Sequence, residues 1–139
     1  MFVLKQAARQ MSKYIDDLSP QEVAAIRRVT RAKGTEFPKS SFLWNKSPEG
    51  DYKCIECEKV LFHSDKKFVS DCGWPAFSDS IKDAVRLEED NSHGMTRTEV
   101  LCKSCDAHLG HVFYNESKEH PTRFCINGIS LIPPLDKKP

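Results

Sequence analysis

The sequence predicts a mainly β domain of antiparallel sheets with a short helical N-terminal arm, and three observations predict it. After residue 50, short apolar or alternating runs recur between turn signals: YKCIEC, KVLFHS, KKFVS, RTEVLC, HLGHVF and RFCINGISLI. Their length and their β-branched and aromatic content suit strands. The stretches between them are too short for crossover helices, so neighbouring strands are expected to run antiparallel.

Taken in order, residues 1–17 read as an N-terminal extension and residues 18–135 as one domain. The first thirteen residues, MFVLKQAARQMSK, carry three basic groups and no acid before Asp16. That pattern is shared by a mitochondrial presequence and by a frayed amphipathic turn. SPQE at 19–22 is a helix start, with Ser19 as N-cap, Pro20 at the first helical position and Glu22 closing a capping box. Val23, Ala24, Ile26 and Val29 give this helix an apolar face, and it is expected to run from about Pro20 to about Arg31 before Gly34. TEFPKSSFLWNKSPEGD, rich in Pro and Ser, reads as a loop into the β domain. SDSIKDAVRLEED fits a short helix as well as a loop with a strand.

A hydrophobic share of 39% and a charged share of 29% are those of an ordinary globular protein. A net charge of +1 argues against nucleic acid as a partner, since domains that bind it carry a marked basic excess. No run approaches the length of a membrane span, and no secretory segment is visible. The expectation is a cytoplasmic monomer, with the mitochondrion as the alternative compartment.

Six cysteines are too few for a disulfide-dense scaffold. Four form two C-x-x-C knuckles, Cys54 with Cys57 and Cys102 with Cys105, each after a strand-like run. Two such turns supply the tetrahedral thiolate cage of one structural Zn²⁺. The competing readings are local redox pairs or distant disulfides. A redox C-x-x-C opens a helix in a βαβ unit, and neither knuckle does. A Cys₄ shell is closed, so zinc here staples the fold and leaves His108 and His111 free.

Cys72 in SDCGWPAF and Cys125 in TRFCINGISL stand alone. A lone cysteine is commonly a small buried hydrophobe. Arg123 and Asn127, however, share a strand face with Cys125 and offer a cation and a hydrogen-bond donor. His108 and His111 would point to opposite faces of a regular strand, but Gly110 permits a bulge that brings them together.

GWPAF, TRTEVLCKSCDAHLGHVF and RFCINGISL resemble the B-type methionine sulfoxide reductases, specific for the R epimer, over roughly residues 18–133. The knuckles match that family's zinc-binding members. The resemblance implies Cys125 as nucleophile and Cys72 as resolving cysteine, with Trp74 lining the pocket for the sulfoxide methyl group. It places His108, His111 and Asn127 beside the substrate, and Phe113 and Arg123 at matching positions. It further implies a Cys125 sulfenic acid, a Cys72–Cys125 disulfide recycled by thioredoxin, and oxidised proteins or free methionine sulfoxide as substrates. Three stretches depart from the family pattern: Asn115 replaces the usual Asp, PKSSFLWNKSPEG replaces a PFSG stretch, and NESKEHPT lacks an Asp-Gly-Pro turn. The alternative is a zinc-stapled binding module, with a nucleic-acid-binding zinc ribbon a poorer third. Such a module has no reason to assemble Cys125 with Arg123, Asn127, two histidines and Trp74.

Overall fold

A computed structural model describes residues 13–134. Apart from Lys13, the stretch with presequence character lies outside the described residues. A helical turn, α1 (Lys13–Asp16), leads to α2 (Pro20–Thr30). The start of α2 is the capping box expected: Ser19 Oγ accepts from the Glu22 amide at 3.1 Å, and Glu22 Oε1 accepts from the Ser19 amide at 2.9 Å. Its buried side carries Ile26, Val29 and Thr30.

That helix is anchored by an ion cluster absent from the sequence reading. The Glu56 carboxylate, only 1% exposed, accepts from Thr30 Oγ1 at 2.7 Å and pairs with Arg27 at 3.1 Å and Arg31 at 3.7 Å. A buried carboxylate is tolerated only when its oxygens are satisfied in this way. Glu56 lies inside the first knuckle, so the ion cluster ties the arm to the knuckle turn.

The described strands are β1 (Asp51–Cys54), β2 (Val60–His63), β3 (Lys67–Phe68), β4 (Ala76–Phe77), β5 (Val85–Asp90), β6 (Arg97–Cys102), β7 (His108–Tyr114), β8 (Thr122–Ile126) and β9 (Leu131–Ile132). They form a three-stranded sheet in the order β2-β1-β9 and a six-stranded sheet in the order β3-β4-β8-β7-β6-β5. All pairings are antiparallel, as the short connections require. Phe62 from the smaller sheet stacks on Phe77 at 4.2 Å and meets Phe124 edge-on at 5.8 Å, both from the larger. These rings, with Tyr52, Leu61, Val100, Leu109 and Ile126, make one apolar core drawn from both sheets.

The ambiguous SDSIKDAVRLEED resolves into the edge strand β5. Glu88, Glu89 and Asp90 are poor strand formers in isolation, yet charge on an edge strand blocks further pairing. The loop before β1 contains a 3₁₀ turn, Phe42–Trp44, that buries Leu43. Among the described residues no helix is long and apolar enough to cross a membrane.

Candidate active site

The two knuckles have the same backbone geometry. The Glu58 amide donates to the Cys54 carbonyl at 2.7 Å, and the Asp106 amide donates to the Cys102 carbonyl at 2.8 Å. Glu58 and Asp106, each just past the second cysteine, have φ of 66° and 64°, which closes the turn. The four sulfurs lie within 4.8 Å of one another, with Cys54–Cys105 and Cys57–Cys102 separations of 3.7 Å. A tetrahedral zinc with Zn–S bonds of 2.3 Å implies sulfur–sulfur edges of about 3.8 Å. The donor set and the spacing therefore fit a divalent cation with soft-ligand preference. Hydrogen bonds among the crowded thiols push Cys54 and Cys105 up and Cys57 down.

Cys125 sits near the centre of the larger sheet, on β8. Its register partner on β7 is His111 and on β4 is Ala76, so thiol and imidazole are cross-strand neighbours. In β7, Gly110 pairs with Val100 and His108 with Leu101, which leaves Leu109 as an extra, bulged residue. The bulge turns His108 to the side of His111, and their ring centres stand 5.5 Å apart. Gly110 has a separate reason to be glycine. A Cβ there would lie 2.0 Å from the Cys125 carbonyl oxygen, and its φ is not in the left-handed region. Close approach of β7 to β8, rather than the bulge, demands it.

A pocket of about 100 Å³ opens over Cys125, bordered by Trp74, Arg97, Gly110, His111, Phe113, Asn127 and Thr35. Of the residues read from the sequence, Cys125, Trp74, His111, Phe113 and Asn127 meet here. His108, Cys72 and Arg123 stand outside its wall. Cys72, in the turn before β4, places Sγ 3.6 Å from Cys125 Sγ. The Cys125 thiol donates to the Cys72 sulfur, which holds Cys72 down at about 5, helped by the Ser70 hydroxyl, the Trp74 main chain and the Arg123 charge. The same bond and burial push Cys125 up. The hydrogen bond thus favours thiolate character on Cys72 over Cys125.

Glu36, not singled out in the sequence, ties this site together. Its Oε2 and Oε1 accept from the Gly128 and Ile129 amides at 2.7 and 2.9 Å. Its amide donates to Asn127 Oδ1 at 3.0 Å, and its carbonyl accepts from Trp74 Nε1 at 3.1 Å. Burial raises the Glu36 pKa, and the two amides oppose that shift. Asn127 Nδ2 donates to the Leu109 carbonyl at 3.0 Å. Its amide therefore joins the bulge to the Glu36 loop, a positioning role in addition to any contact with substrate.

The two histidines are held by different carboxylates. His108 Nδ1 bonds Glu99 Oε2 at 2.7 Å, with Lys33 Nζ 3.4 Å from Glu99 Oε1. Burial lowers the His108 pKa while Glu99 raises it. His111 Nε2 bonds Asp90 Oδ2 at 2.7 Å. Neither carboxylate carries a sequence signal, because each lies in an ordinary charged strand.

Arg123 packs over the Phe113 ring at 4.7 Å and pairs with Glu116 at 2.7 Å. The residue at 115 serves conformation: Asn115 has φ of 61° and donates its amide to the Pro121 carbonyl at 2.6 Å. Asparagine accepts that backbone region readily, and the carboxylate beside Arg123 comes from Glu116 instead. NESKEHPT makes its turn without the Asp-Gly-Pro sequence.

The SelR domain family matches residues 22–133. The chain is 50% identical over 110 residues to the probable methionine-R-sulfoxide reductase B of Caenorhabditis elegans, covering 76% of this chain and 72% of that protein. It is 48% identical over 124 residues to the peptide methionine sulfoxide reductase MsrB of Pseudomonas entomophila, covering 88% and 95%. Against the protein of that name in Cellvibrio japonicus it is 44% identical over 118 residues, covering 84% and 81%.

Proposed function

The chain belongs to the SelR-domain family of B-type methionine sulfoxide reductases, oxidoreductases that act on methionine sulfoxide, and we propose that it does so by thiol chemistry at Cys125. One observation carries the mechanism: Cys125 opens onto a pocket walled by Trp74 and His111, with a second thiol 3.6 Å behind it.

Cys125 gives up its proton, for which the hydrogen-bonded Cys72 sulfur is the acceptor at hand. The Cys125 thiolate attacks the sulfoxide sulfur while His111, with His108, orients or protonates the oxygen. The oxygen then passes to Cys125: its bond to the methionine sulfur and the newly formed bond from Sγ to that sulfur both break, and a bond from oxygen to Sγ forms. The sulfoxide is reduced by two electrons to methionine, and Cys125 is oxidised to a sulfenic acid. Cys72 then attacks that sulfur, the disulfide forms and the hydroxyl leaves as water. A thioredoxin-type dithiol restores both thiols by exchange.

Trp74 suits the S-methyl group because its ring is apolar and anchored by its Nε1 bond to Glu36. An aromatic wall facing a polar side would distinguish the R from the S epimer. Asn127 and Phe113 border the substrate, and Arg123 holds the charge of the thiol pair. Cys54, Cys57, Cys102 and Cys105 would hold zinc, whose closed shell supplies cross-linking and no reactive position. Oxidised proteins and free methionine R-sulfoxide are the substrate class, and a reducing compartment such as the cytosol suits six free thiols.

The test is an assay on R- and S-methionine sulfoxide with thiols titrated before and after turnover. Only the R epimer should be consumed, with loss of the Cys72 and Cys125 thiols when no reductant is present. Equal use of both epimers, or turnover without thiol loss, would overturn the reading.

A further inference from the structure

We propose that Asp90 is the positioning residue for His111, fixing the imidazole so that Nδ1 is the nitrogen offered to the sulfoxide oxygen. The inference rests on the reading of the pocket over Cys125 given above. The geometry is independent of it.

Asp90 ends the edge strand β5, opposite Arg97 in the register with β6. Its Oδ1 accepts from the Ser92 amide at 3.0 Å, and its Oδ2 lies 3.6 Å from Arg97 and 2.7 Å from His111 Nε2. The carboxylate is thus held from two sides before it meets the ring. A carboxylate can only accept, so Nε2 carries hydrogen. In the neutral ring Nδ1 then has the lone pair, and in the charged ring it is a second donor. Among the described residues Nδ1 has no protein partner, and His111 borders the pocket. The bond from His111 holds the Asp90 carboxyl well below the ordinary carboxylate range, so it stays an acceptor.

His108 is bound the other way round. Its Nδ1 faces Glu99, and among the described residues its Nε2 is buried without a partner. The groups facing His111 are Asp90 from β5, Arg97 and Glu99 from β6, His108 from its own strand and Cys125 from β8. Of the two histidines, only His111 combines a fixed nitrogen with a free one on the pocket wall. A carboxylate behind an imidazole selects the tautomer and holds the ring in place, and its loss misdirects proton transfer even when the fold is intact.

The test reads the ring directly. In the full-length zinc-loaded protein, nitrogen-15 NMR at alkaline pH should show His111 as the Nε2–H tautomer. Asp90→Asn should let the two tautomers mix and lower kcat by about 10- to 100-fold with KM changed by less than about twofold. Asp90→Glu should recover part of the rate and the single tautomer. Glu99→Gln should leave the His111 tautomer unchanged. A wild-type Nδ1–H tautomer, or an Asp90→Asn protein with unaltered tautomer and kcat, would overturn the proposal. The NMR result needs no turnover, so failure of the reductase reading and failure of this one are told apart.

Discussion

The Sγ atoms of Cys72 and Cys125 stand 3.6 Å apart, yet the two thiols border different clefts. Cys125 lines the pocket of Trp74, His111 and Phe113, whereas Cys72 lines an outer groove with Phe68, Asp71, Glu119 and Arg123. Their separation exceeds a disulfide bond by about 1.5 Å, so a small shift of the turn before β4 would join them. One sulfur is presented inward and the other outward, across a gap that a single hydrogen bond spans.

Cys125→Ser should abolish sulfoxide reduction while leaving bound zinc and the circular-dichroism spectrum intact. Cys72→Ser should still reduce one equivalent of sulfoxide but not cycle with thioredoxin. Rapid-quench and steady-state assays on both variants check this. Retained turnover in the first, or an undiminished thioredoxin-supported rate in the second, removes that cysteine from its role.

The hydrogen bond between Cys125 and Cys72 makes a titration prediction. Cys72 is held at about 5, below the 9.0 of an unperturbed thiol, chiefly by the bond from Cys125. A depressed thiol is thiolate above its folded-state pKa, so alkylation of the zinc-loaded protein should label Cys72 at pH 6 to 8 and fade as the pH falls through about 5. Cys125→Ala removes the largest cause, and the midpoint should move upward. Arg123 and the Ser70 hydroxyl would limit that rise. Peptide mapping after iodoacetamide treatment across pH reads both midpoints.

Gly110→Ala is expected to damage the site from behind. Its Cβ would meet the Cys125 carbonyl oxygen at 2.0 Å and the Cys125 carbonyl carbon and Ile126 Cα at 3.0 Å. All three are main-chain atoms, so β7 must move off β8. Overpacking of this kind costs about 1–3 kcal/mol. Thermal melting should drop by several degrees, and activity should fall further, because the strand that moves carries His111. An unchanged melting temperature and rate would show that the strands yield freely.

Metal removal should separate staple from reagent. Stripping with a strong chelator under reducing conditions is expected to lower the melting temperature markedly and to remove one zinc per chain. Any fraction that remains folded should retain sulfoxide reduction in a single turnover, since a Cys₄ shell offers no open position. Activity that requires zinc while the fold persists would contradict a purely structural cage.

Where a feature depends on neighbours in the chain, the sequence showed it: the Ser19–Glu22 cap, the strand runs, both knuckles. The expected bulge that brings His108 to the side of His111 is present, with Leu109 rather than Gly110 as the extra residue. What stayed hidden was the set of carboxylates that orient the site. Glu36, Asp90 and Glu99 lie in unremarkable polar stretches, and each acquires its role from a partner on a distant element. The same holds for β5, whose acids argue against a strand until it stands at the sheet edge.

The sequence by itself determined the four-cysteine cluster and supplied the thiols proposed here to react. A C-x-x-C turn brings its own sulfurs together through bonds within the turn, and a cysteine's chemistry travels with it. Only the tertiary structure decided which histidine reaches the pocket, which carboxylate holds it and which cysteine faces outward. Strand register and the Leu109 bulge set those relationships. They are settled by packing between residues far apart in the chain, where no local spacing could encode them.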